Sequence, residues 1–98
     1  MDVEKFQDDV YAITELLSKN LSPELTPKLN SVRQNLIEYY KKNLVKINHS
    51  VLELICAAEL ISHGFTADVE KSISDILVCD LFGKKDGTTA IIEIETGF

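Results

Sequence analysis

Ile76-Leu77-Val78-Cys79-Asp80-Leu81-Phe82 is an apolar run broken by one carboxylate, and Gly83-Lys84-Lys85-Asp86-Gly87 separates it from Thr88-Thr89-Ala90-Ile91-Ile92-Glu93-Ile94-Glu95-Thr96. The first run reads as a central strand, the middle five residues as a charged, glycine-rich turn, and the third run as a returning strand. Together they predict a β-hairpin. Placing acidic side chains in aliphatic strands is costly unless a metal or a basic partner compensates them. Asp80, Glu93 and Glu95 therefore point to a divalent-cation site.

Upstream, Phe65-Thr66-Ala67-Asp68-Val69-Glu70 alternates apolar and polar positions and predicts a half-buried strand. Val3, Phe6, Val10, Ile13, Leu16 and Leu17 recur at helical spacing, which predicts an amphipathic helix over 2–19. Thr26-Pro27 reads as an N-cap and first helical residue, opening a second helix marked by Leu29, Val32, Leu36, Tyr39 (or Tyr40) and Leu44 and running to about Lys46. That helix also carries Lys28, Arg33, Lys41, Lys42 and Lys46, which are most simply a solvated face. Asn48-His49-Ser50 reads as a break. Ser50 with Glu53 then fits a capping box for a third helix through Leu54, Ile55, Ala58 and Ile61, stopped by Gly64. The expected architecture is α+β: three helices, then a three-stranded antiparallel meander. Residues 1–48 form a helical N-terminal extension and residues 49–98 the αβββ portion.

The chain has 98 residues and a net charge of −6. Residues 1–48 hold seven acidic and seven basic side chains, and residues 49–98 hold nine acidic and three basic. Autonomous nucleic-acid binders normally carry the opposite sign, although a carboxylate-lined cation site has the same effect on composition. No apolar run reaches membrane-span length, and the first twenty residues do not read as a signal peptide, so the expected location is the cytoplasm. Cys56 and Cys79 lie in apolar stretches and read as small buried hydrophobes.

From Ser50 onward the ordered set of Glu53, Gly64-Phe65, Asp80 and Glu93-Ile94-Glu95 resembles the PD-(D/E)XK nuclease superfamily, which has a restriction endonuclease-like core. The resemblance covers about half the chain. It implies phosphodiester hydrolysis of DNA or RNA with Mg²⁺ or Mn²⁺. Asp80, Glu93 and the Ile94 carbonyl would hold the ion, Glu53 would join through a water, and Glu95 would stand where the family usually has lysine. Mg²⁺ and Mn²⁺ suit such chemistry because they take hard oxygen ligands and activate bound water. Two departures accompany the resemblance: the proline that often precedes the aspartate is replaced by Leu77-Val78-Cys79, and the family core continues beyond a third strand. The latter implies a fragment lacking its C-terminal part.

Convergence requires a particular hairpin register, because strand side chains alternate between faces. Asp80 opposite Ile91 would bring Asp80 to the same side as Glu93 and Glu95. Plainer readings exist for each residue: Glu53 as a cap, Glu93 and Glu95 as a solvated strand face, His49 as a loop residue and His63 as a helix-end residue complementing the dipole. Asp80 fits a plain reading least well. The alternative function is a non-catalytic interaction module, with the helices as a homodimer or partner interface. An acidic mimic of nucleic acid is a third class.

Overall fold

The computed structural model describes residues 3–43 and 47–95. Their elements are α1 (Val3–Ser18), α2 (Thr26–Asn43), α3 (Ile47–Ser62), β1 (Asp68–Ser72), β2 (Val78–Lys85) and β3 (Thr88–Ile92). The strands form one antiparallel sheet in the order β1-β2-β3. The fold is α+β with three helices and a three-stranded antiparallel sheet. The expected helical residues Asp2 and Leu44 to Lys46, and the expected strand end at Thr96, fall outside the described residues.

Helix α1 buries Phe6, Val10 and Thr14, four residues apart on one stripe. Thr14 can be buried because its hydroxyl donates to the Val10 carbonyl at 2.7 Å. The first i→i−4 bond of α2 runs from Leu29 N to Leu25 O, so Leu25, not Thr26, occupies the cap position. Pro27 then lies in the first turn, where a missing N–H leaves no bond unmade. Leu29, Val32, Leu36, Ile37 and Tyr40 are its buried stripe. The Tyr40 ring stacks on Phe6 with centroids 3.5 Å apart and planes 6° from parallel. One buried cluster draws on α1, α2, α3 and Leu81 of β2, so the N-terminal helices share a core with the later elements.

Helix α3 starts at Ile47, three residues before the expected cap. Ser50 is therefore an interior, fully buried helical residue, and the capping-box reading of Ser50 and Glu53 is corrected. The helix stops as expected. Gly64 has φ 88°, and the bonds Phe65 N to Leu60 O and Gly64 N to Ile61 O close a left-handed C-terminal motif. The following segment crosses β2 where only glycine fits: a Cβ on Gly83 would lie 2.6 Å from the Thr66 carbonyl oxygen.

Two strand boundaries differ from expectation. The β2 strand begins at Val78, and Ile76 is 96% exposed in the preceding bend, where Leu77 O accepts from Ile73 N. The turn is shorter than five residues: Lys85 pairs with Thr88, leaving a two-residue loop with Asp86 at φ 53°. That tighter loop sets Phe82 against Ile91 and Leu81 against Ile92. Asp80 therefore lies across from position 93, two residues from the expected register. A two-residue slip keeps side chains on their original faces. The ladder ends at Ile92, because the Ile94 N–H turns to the Asp80 carboxylate, donating to Oδ2 at 2.7 Å.

Candidate metal centre

Starting α3 at Ile47 puts His49 and Glu53 four residues apart, on one face of the helix. That face meets the sheet where Glu70 of β1 and Asp80 of β2 arrive. His49 Nε2 lies 3.0 Å from Glu53 Oε1, 3.2 Å from Asp80 Oδ1 and 3.7 Å from Glu70 Oε1. An imidazole nitrogen carries at most one proton and can direct it at one acceptor. The bond of good geometry is the one with Asp80. Asp80 is thereby fixed at both oxygens, by His49 and by the Ile94 N–H.

Glu53 is the unusual member. Its side chain is fully buried, and neither carboxylate oxygen lies in a hydrogen bond of good geometry. Burial, then the adjacent Glu70 carboxyl and the charge of Asp80, push its pKa up to about 9. Glu70 is also raised, chiefly by burial, although its contact with Glu53 acts in the opposite direction. Burial thus favours a pair that holds a proton over one that carries two negative charges. The Tyr39 phenol of α2 is raised by burial and by the Glu70 charge with which it hydrogen-bonds. A protonated acid in this place is what a carboxylate cluster adopts when protons supply the compensating positive charge.

The spacing suits an ion equally well. Ligand atoms about 2.1 Å from a common cation stand about 3.0 Å apart in an octahedron and about 3.4 Å apart in a tetrahedron. The separations from His49 Nε2, 3.0, 3.2 and 3.7 Å, span that range. One ligand atom each from His49, Glu53 and Glu70 lie within 4.8 Å of one another. Asp80 adds a fourth donor beside them.

Backbone strain occurs at the same place. Glu70 has φ 50°, a left-handed conformation that costs a non-glycine residue about 1 kcal/mol or more. The sheet tolerates it where it turns the carboxyl toward Glu53 and Tyr39. Glu70→Gly is therefore expected to raise the metal-free melting temperature by several degrees while weakening Mn²⁺ binding. Calorimetric melts with and without Mn²⁺ check both signs; a loss of metal-free stability would contradict the strain assignment.

Of the residues read from the sequence, Glu53 and Asp80 come together. Glu93 and Glu95 are exposed beyond the end of β3, and the charge of Glu93 is felt at the buried Cys79 thiol, which burial already raises. The Ile94 backbone meets Asp80 through its N–H. His49 and Glu70 were not read as site residues. The His49-x₃-Glu53 spacing could have signalled the first, whereas no sequence feature marks the left-handed turn at Glu70. His63 sits at the exposed end of α3, with Nδ1 2.9 Å from the Glu59 carbonyl. Arg33, expected on a solvated basic face, packs its guanidinium 4.1 Å over the Tyr11 ring. No helix among the described residues is long and apolar enough to cross a membrane. No family model, curated protein or solved structure matches the chain.

Proposed function

We propose that this chain is a divalent-metal-binding domain of the nuclease type, acting on DNA or RNA phosphodiesters in the cytoplasm. The observation that carries the proposal is the fully buried Glu53 carboxyl, which no N–H or hydroxyl donor reaches with good geometry and which lies beside His49 and Glu70. Buried carboxylates require compensation, and His49, Glu53 and Glu70 offer a cation three converging donors from two elements. When bound, such an ion supplies a water of lowered pKa and stabilises charge on a phosphoryl oxygen. His49, Glu53 and Glu70 would hold it, with Glu70 positioned by Tyr39 and Asp80 beside His49. The chain's own acidity argues that nucleic acid is brought by a partner or by segments other than these residues. The restriction endonuclease-like resemblance through Glu53, Asp80 and Glu93-Ile94-Glu95 supports the hydrolytic class. In this reading the ion would lie on the helix side of Asp80, away from the exposed Glu93 and Glu95.

A second reading has its own observation. Ile76, Leu77, Val78 and Ile91 are all at least half exposed, forming apolar surface around the start of β2 and the β3 edge. It supports an interaction module that pairs with another chain or with a second copy. Cleavage of labelled single- and double-stranded DNA and RNA in Mn²⁺ separates the two. The nuclease reading predicts metal-dependent cleavage that Asp80→Ala reduces about 100-fold or more. Cleavage unaffected by Asp80→Ala, or none on any substrate, would favour the interaction module.

A further inference from the structure

We infer that the ion preferred by the His49–Glu53–Glu70 centre is a borderline first-row transition metal, of the Co²⁺ or Zn²⁺ class, over Mg²⁺ or Ca²⁺. The inference rests on the reading that this cluster binds metal, and adds the chemical class of the ion. Mg²⁺ and Ca²⁺ are hard ions that select oxygen donors, and Mg²⁺ retains several waters because it dehydrates reluctantly. Imidazole nitrogen is instead a donor for transition ions.

Three features of the centre press in that direction. His49 is at the middle of the cluster, with its Nε2 close to all three carboxylates, so an ion held by the carboxylates cannot avoid the imidazole. Glu53 is fully buried, at 0% side-chain exposure, so an ion bound to it gives up water on that side, which Mg²⁺ does reluctantly. The donors also come from separate elements held by packing: α3 lies against β2 and α2 against β1. Three carboxyls carry six oxygens, and Asp80 Oδ2 is held by the Ile94 N–H, so Ca²⁺ would reach its six to eight oxygen ligands only with added water. An ion satisfied by four to six ligands, one of them nitrogen, fits what is present.

The test is thermal unfolding of the full chain with each ion in turn, at equal free concentration, followed by visible absorption of the Co²⁺ form. Co²⁺ and Zn²⁺ are expected to raise the melting temperature by about 5 °C or more, and Mg²⁺ and Ca²⁺ by much less. His49→Gln should abolish that preference and remove the nitrogen-dependent shift in the Co²⁺ spectrum. Equal shifts with Mg²⁺ and Co²⁺ would overturn the selectivity while leaving a metal site standing. No shift with any ion would overturn both. A transition-metal shift that His49→Gln leaves intact, but His63→Gln removes, would assign binding to the exposed histidine and overturn the inference. Glu59→Gln, beside His63, is expected to change nothing.

Discussion

Replacing Glu53 by glutamine is expected to remove most of the pH dependence of stability between pH 5 and 9, and to stabilise the metal-free protein at pH 8. The unfolded chain releases the Glu53 proton near the ordinary carboxyl value of 4.5, whereas the folded chain keeps it up to about 9. Between those values the folded state binds one more proton than the unfolded state. Stability therefore falls as pH rises across this window, by up to about 1.4 kcal/mol per pH unit. Below pH 4.5 both states are protonated and the wild-type contribution is fully present. The introduced glutamine offers amide protons to the neighbouring carboxylates and has no titratable proton to lose. The variant is thus expected to exceed wild type by about 2 kcal/mol or more at pH 8 and to match it near pH 4. Mn²⁺ should flatten the wild-type profile, because the ion replaces the proton, and should leave the variant unchanged. Denaturant titrations across this pH range measure the effect directly. Parallel profiles for the two proteins would show that Glu53 is not a buried proton-holding acid.

The second large effect concerns the helical layer. Tyr40 is fully buried and stacked on Phe6, joining α1 to α2 at the centre of the core. Tyr40→Ala should cost about 3 to 5 kcal/mol through lost burial and the cavity left behind. A chain of this size is stable by about 5 to 15 kcal/mol, so the loss lowers the melting point by about 15 °C or more. It also disturbs the centre, because the adjacent residue, Tyr39, is hydrogen-bonded to Glu70. A loss below about 1 kcal/mol, against the range expected for a buried aromatic, would mean that residues 1–48 are an appendage rather than part of the folding unit.

The sequence pattern made the elements legible because their periods are strong. The stripe of Phe6 and Val10, the Gly64 stop and the Asp86-Gly87 hairpin each rest on local rules that the tertiary structure did not override. Asp80 and Glu53 were legible for a different reason: a carboxylate amid Leu, Ile and Val stands out against its neighbours. The misread positions have particular causes. Asn48-His49-Ser50 is polar and resembles a linker, yet α3 begins at Ile47, since Ile47 packs against the core and carries the helix start with it. That shift of three residues converts His49 from a loop side chain into the middle of the cluster. Ile76 and Leu77 are as apolar as a central strand requires but fall in a bend, which only the pairing of Val78 with Ser72 reveals. The two-residue turn moved the hairpin register by two. Parity survived, and the strand beyond Ile92 did not, because Asp80 captured the Ile94 N–H. Glu70 depends on a positive φ that alternation along β1 does not announce.

Anomalous diffraction from crystals grown with Mn²⁺, recorded on either side of the manganese edge, addresses the central claim most directly. One peak is expected at coordination distance, about 2 to 2.2 Å, from His49 Nε2, a Glu53 oxygen and a Glu70 oxygen. A peak held instead by Glu93 and Glu95, or an ordered crystal with Mn²⁺ nowhere near α3, would contradict it.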